Sequence, residues 1–135
     1  MIIRTQKEAP RFQEDGTTSY LLVSPWTGGS SQLTTSLVEM EPGGLQRAHR
    51  HEPEQIYFFI SGTGMMSVED ETWEVTPGDC VLVPANATHS IRNGSGEEPL
   101  RYFGAAAPGF PVDQLKVLWP LPSEEQSGSA SAQES

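Results

Sequence analysis

The chain has 135 residues, a single cysteine, and 18 acidic against 8 basic side chains, for a net charge of −10. Its length suits one domain with its own core, and one cysteine excludes an intrachain disulfide and fits a reducing compartment. So acidic a surface repels phosphate backbones and anionic lipid, which excludes nucleic acid and membranes as natural partners.

Residues 1–12 carry charge at Arg4, Lys7 and Glu8 and hold no apolar run, so they read as neither signal peptide nor membrane span. No later stretch approaches ~18 apolar residues. The expected location is the cytoplasm. From there on, 13 glycines and 11 prolines cut the chain into short apolar runs, the punctuation of strands and tight turns rather than helices. Strands are expected at residues 19–24, 32–41, 46–51, 55–61, 64–69, 72–75, 80–83, 89–93 and 100–106. Trp73 and Val75 alternate with Thr72 and Glu74 as a half-buried strand would.

Residues 112–119 read equally as a short helix or a further strand. Residues 123–135 are polar and of low complexity, too poor in apolar side chains to offset the entropy of ordering them. The expectation is one all-β domain over residues 1–122, with an arm at each end, then a flexible polar tail over 123–135. Many short strands without intervening helices imply an antiparallel sandwich or barrel.

All three histidines lie in two short segments. In the first, His49 and His51 stand two apart, and side chains at i and i+2 of a strand share a face. Two neighbouring imidazoles suit one divalent transition ion, Mn, Fe, Ni, Zn or Cu. If the parity holds through the following turn, Gln55, Tyr57 and Phe59 face the same way, with Arg50, Ile56 and Phe58 on the other side. Arg47 shares the parity of the histidines. There its guanidinium would hold a substrate carboxylate, or else pair with Glu39 or Glu41 at the rim. His89, on a separate strand, can complete the site from across the barrel.

These segments resemble the two motifs of the cupin superfamily. The first, G-x5-H-x-H-x3/4-E-x6-G, runs from Gly43 through His49, His51 and Gln55 to Gly62. The second, G-x5-P-x-G-x2-H-x3-N, runs from Gly78 through Pro84 and His89 to Asn93. The resemblance spans roughly residues 32–108. It implies an antiparallel β-barrel of the double-stranded β-helix or jelly-roll kind, one divalent metal held by His49, His51, Gln55 and His89, and pairing into a homodimer, with the arm 107–122 supplying surface. Two positions depart from the motifs. Asn86 replaces a glycine, and asparagine tolerates left-handed backbone. Gln55 replaces the usual glutamate ligand, with Glu54 next to it as the alternative fourth ligand should the turn rotate it inward.

A glutamine ligand leaves the ion fully dipositive, a stronger Lewis acid that resists oxidation and favours an anionic substrate. Within the family it is similar to the sets of hydroxynitrile lyases and uronate-ring-opening cupins. The resemblance thus points to a metal-dependent lyase or isomerase acting on a small, anionic organic molecule. A metal-dependent dioxygenase and a non-catalytic small-molecule binder are the alternatives. Tyr57, Arg47 and Glu54 are the expected catalytic residues, Tyr57 or Glu54 moving a proton and Arg47 holding a carboxylate. Arg101 is a second cation for that task. Phe59 is expected in core packing, Trp26 and Trp73 in packing or a hairpin, and Cys80 as a buried structural thiol.

Overall fold

Asp15 and Gly16 both have left-handed backbone, at φ 53° and 75°, the geometry of a two-residue hairpin turn whose twist suits the flanking strands. In the computed structural model, which describes residues 1–94 and 96–119, this turn joins β1 (Arg11–Glu14) to β2 (Thr17–Leu21). Strand β1 is additional to the sequence expectation. Its signal is the Asp-Gly pair, since Arg11-Phe12-Gln13-Glu14 offers only one apolar side chain. The chain continues through β3 (Thr34–Met40), β4 (Leu45–His49), β5 (Glu54–Ser61), β6 (Gly64–Val68) and β7 (Glu71–Val75). Then follow β8 (Cys80–Val83), β9 (His89–Arg92), β10 (Leu100–Ala107) and α1 (Val112–Leu118). The tail expected over 123–135 and the domain end expected at 122 lie outside the described residues.

All pairings between these strands are antiparallel. A six-stranded sheet runs β1-β2-β3-β10-β5-β8 and a four-stranded sheet runs β4-β9-β6-β7. Between them lies one apolar core to which both contribute: Val38, Met40, Tyr57, Phe59, Val83, Leu100 and Tyr102 from the larger sheet, Met66, Val75 and Ile91 from the smaller. The expected jelly roll is the observed architecture. Period-two patterning builds it, as β10 shows: Leu100, Tyr102, Gly104 and Ala106 are buried while the residues between them are half-exposed. Each large core side chain contributes roughly 1.5–3 kcal/mol by leaving water.

Two motif positions explain themselves in backbone terms. Gly62 has φ 80° and stands so close to the Pro99 carbonyl that a Cβ there would collide with it, so no other residue fits. Asn86 adopts φ 63°, the left-handed geometry expected of it. Asn93 is a structural staple, its buried Nδ2 donating to the Met40 carbonyl at 3.1 Å and the Glu98 carbonyl at 2.7 Å.

The open choice at 112–119 resolves as a helix. Leu115, buried on α1, packs with Leu21 and Trp119 in a second apolar cluster, flanked by Phe12, Trp26 and Phe110. Indole hydrogen bonds fasten it: Trp119 Nε1 donates to the Ser19 carbonyl (3.0 Å) and Trp26 Nε1 to the Trp119 carbonyl (3.1 Å). The arm residues expected at a subunit surface, Phe110, Leu115 and Trp119, are therefore engaged within the chain. Val117 alone of that set points to solvent.

One packing expectation is corrected. Cys80 is exposed, not buried, because on β8 Val83 takes the inward position and Cys80 and Leu82 take the outer face. Trp73, 76% exposed, takes the second of its two expected places, on the β6–β7 hairpin, with its indole beyond the core because β7 is the sheet's edge strand. Among the described residues, no helix is long and apolar enough to cross a membrane.

Candidate metal centre

His49 closes β4 and sits opposite His89 of β9 in the strand register. The register between these strands slips between Gln46 and His49, so that three steps along β4 match two along β9. Such a bulge breaks the alternation and re-aims side chains. His51 lies beyond the end of β4, before Pro53, rather than on the strand expected over 46–51. The three rings nevertheless meet: centroids are 4.2 Å apart for His49 and His89, 4.9 Å for His51 and His89, and 5.6 Å for His49 and His51.

Each imidazole is oriented by a nearby carbonyl. The Nδ1 atoms of His49, His51 and His89 lie 2.8, 2.8 and 3.0 Å from the carbonyls of Arg47, Pro53 and Ala87. An acceptor at Nδ1 requires the N–H there, which leaves the Nε2 lone pair free to bind a metal. The Nε2 atoms of His51 and His89 are buried without a partner among the described residues, a costly state that a metal ion relieves. Potential ligand atoms of the three residues lie within 4.8 Å of one another. Nitrogens ~2.1 Å from a common ion sit at most ~4.2 Å apart, so small ring rotations bring the set to bonding range. Desolvation, reinforced by repulsion from His49 and His51 and opposed by the Ala87 carbonyl, lowers the His89 pKa to about 4. Desolvation likewise lowers that of His49. Both rings are neutral near pH 7, the form that ligates.

Among the described residues, the only group of three or more His, Cys, Asp or Glu side chains close enough to share an ion is these three histidines. Glu54 is exposed, pairs with Ala107 in the sheet and does not border the cavity. Gln55 is half-buried and does border it. Its amide leans across β10 where Gly104 leaves space: a Cβ at 104 would stand 3.0 Å from Gln55 Nε2.

His49 and His51 border a cavity of about 420 Å³, with His89 packed against both rings. Phe12, Phe110 and Trp119 wall it, with Gln46, Tyr57 and Tyr102 toward its floor. Tyr57 is buried, meets His89 edge to face at 5.9 Å and donates through its hydroxyl to Gln46 Oε1 at 3.0 Å. Burial pushes its pKa far up, so the phenol keeps its proton. Arg47 reaches only the cavity's edge. Its largely exposed guanidinium bonds Asp15 at 3.0 Å, neither facing the histidines nor pairing with Glu39 or Glu41, because the bulge gives the inward place to Gln46. Arg101 takes Glu39 instead, at 2.9 Å. The residues that sequence reasoning missed are Gln46, concealed by the bulge, Tyr102, legible from parity on the expected strand 100–106, and the aromatic wall, brought in by β1 and α1.

A two-sheet jelly roll with histidines converging from the Gly43–Gly62 and Gly78–Asn93 segments defines a cupin. The Cupin domain family matches residues 36–105, and the chain belongs to that family. It is 29% identical over 122 residues to protein MJ1618 of Methanocaldococcus jannaschii, covering 87% of this chain and 95% of that one. It is 27% identical over 90 residues to dimethylsulfoniopropionate lyase DddW of Ruegeria pomeroyi, covering 66% of this chain and 58% of the lyase. It is 33% identical over 63 residues to 5-nitrosalicylic acid 1,2-dioxygenase of a Bradyrhizobium species, covering 47% of this chain and 30% of the dioxygenase. The chain thus spans a little over half of the lyase and under a third of the dioxygenase. In fold it is similar to KdgF from a Halomonas species, with a TM-score of 0.71 at 20% identity over 85% of this chain and 99% of that one.

Proposed function

We propose that this cupin is a metal-dependent enzyme acting on a small, anionic organic molecule by lyase or isomerase chemistry, with His49, His51, His89 and Gln55 as ligands. The neutrality of the donor set carries this reading. Three imidazoles converge within ligand distance of one another, the Nε2 atoms of His51 and His89 are buried without a partner, His49, His51 and Gln55 border the cavity, and no carboxylate joins the histidines among the described residues. A divalent ion held by neutral donors keeps its full charge and supplies Lewis-acid chemistry to a carboxylate or enolate oxygen. Mn, Fe, Ni, Zn and Cu all suit imidazole ligands.

The chain's own residues then divide the work. Tyr57, protonated and fixed by Gln46, holds its proton at Oη beside His89. Arg47, tied to Asp15, flanks the entrance, and the aromatic wall excludes water. Glu54 has no part, being outside the cavity. Purified protein is expected to carry one transition ion per chain by elemental analysis, and to turn over a small carboxylic acid at an undiminished rate without oxygen. The dioxygenase among its relatives motivates the opposite result, turnover that stops when oxygen is removed, which would overturn the lyase reading. Stoichiometric ligand binding without turnover under either atmosphere would make the protein a binder.

We also propose a homodimer formed through the outer face of the six-stranded sheet. Phe58, Ile60 and Leu82 are 43%, 40% and 56% exposed there, beside the edge strand β8. An edge with an apolar face is a ready template for a second copy. Leu82→Glu should halve the mass seen by light scattering at micromolar concentration. A monomeric parent protein would contradict the proposal.

A further inference from the structure

Tyr102 carries a buried, uncommitted donor beside the cavity. Its side chain is 2% exposed and borders the cavity, yet its hydroxyl has no hydrogen-bond partner among the described residues. Several other polar side chains around the cavity are engaged: the Tyr57 hydroxyl with Gln46, the Arg47 guanidinium with Asp15, and the Thr34 hydroxyl with the Phe110 amide. A buried hydroxyl left unpaired destabilises a fold, and such groups mark places where function rather than packing chose the residue. Phenylalanine would fill the same core position without that cost.

The surroundings fix what this hydroxyl can do. Tyr102 stacks on Tyr57, rings 4.9 Å apart and 15° from parallel. Beyond it on β10, the inward residues are Gly104 and Ala106, and the Gln55 amide fills the space beside Gly104. Burial, and then the neighbouring Tyr57, raise its pKa well above the ordinary value, so the phenol is a neutral donor at any physiological pH. Tyr57 contacts His89, whereas Tyr102 makes no ring contact with a histidine among the described residues. Tyr102 thus lies one ring further from the histidines than Tyr57 does, which offers its hydroxyl to a ligand atom other than the one at the histidines.

We propose that Tyr102 Oη donates a hydrogen bond to a second oxygen of the ligand, and that the cavity selects small acids with two oxygen functions, hydroxy-, oxo- or dicarboxylic acids. This rests on the metal-site reading above and narrows its substrate class. The test uses the Co(II)-loaded full chain, whose visible absorption reports ligand entry to the metal. It is titrated with propionate and with a series of three- to five-carbon hydroxy- and dicarboxylic acids. The parent should prefer at least one bifunctional acid over propionate by about tenfold, the worth of one hydrogen bond. In Tyr102→Phe that preference should vanish while propionate affinity and Co(II) stoichiometry stay unchanged. The melting temperature of metal-free Tyr102→Phe should equal or exceed the parent's, because an unpaired hydroxyl has been removed. An unchanged preference in the variant, or no preference in the parent, overturns the proposal. So does a clear loss of melting temperature, which would give the hydroxyl a structural role. Failure of the parent itself to bind Co(II) would instead sink the metal-site reading.

Discussion

His89→Ala keeps the barrel and loses the metal. His89 is 1% exposed, its Nδ1 held by the Ala87 carbonyl and its Nε2 buried without a partner. Truncation leaves a cavity but also removes an unsatisfied polar atom, and the two effects on the metal-free protein oppose each other. The melting temperature of the apo form should move by only a few degrees. The metal is another matter. With one of three imidazoles gone, and none of the remaining neutral ligands able to compensate with charge, affinity should fall by more than ~100-fold, beyond what loss of an outer-sphere partner costs. Dialysed His89→Ala protein should contain essentially no bound transition metal by elemental analysis, and Glu54→Ala should retain it in full. A His89→Ala protein with one tightly held ion per chain would refute the site. Metal loss in Glu54→Ala, with retention in Gln55→Ala, would restore the glutamate as fourth ligand and remove the argument for non-redox chemistry.

The histidines could be read from the sequence because their positions are fixed by turn chemistry as much as by strand parity. Gly62 and Asn86 hold left-handed backbone, and no ordinary residue replaces Gly62 against the Pro99 carbonyl. Parity was a weaker guide wherever the ladder is irregular. The bulge between Gln46 and His49 turns Gln46 inward and Arg47 to the rim, an outcome that counting by twos reverses. His51 reaches its neighbours from beyond the strand end, so the His-x-His pair converges through a turn rather than along a pleat. Edge position also defeats local pattern. Trp73 sits in an alternating run but hangs beyond the core on the edge strand β7, and Cys80 sits in an apolar run but takes the outer face of the edge strand β8. The second apolar cluster was illegible for a different reason. It joins residues nearly a hundred positions apart, such as Leu21 and Trp119, and no local period encodes such a contact.

That cluster makes Leu115→Ala the sharpest test of how the cavity is closed. Helix α1 has seven residues and no side-chain N-cap bond at Pro111. A helix that short has almost no stability of its own, so its packing must hold it. Leu115 is 0% exposed between Leu21 and Trp119, and Leu-to-Ala truncation at such a site costs about 2–5 kcal/mol. The cost falls on a cluster separate from the main core, so it should act locally, undocking α1 without unfolding the barrel. Amides of residues 112–119 should then exchange at nearly unprotected rates, while those of β5 and β10 stay slow. Tryptophan emission should shift to the red as Trp26 and Trp119 meet water. Because Phe110, Gln114 and Trp119 wall the cavity, ligand affinity should drop with metal content unchanged. If residues 112–119 remain protected, or protection is lost across the barrel at once, α1 is an integral part of the core. The cavity would then be closed by the sandwich itself rather than by a docked arm.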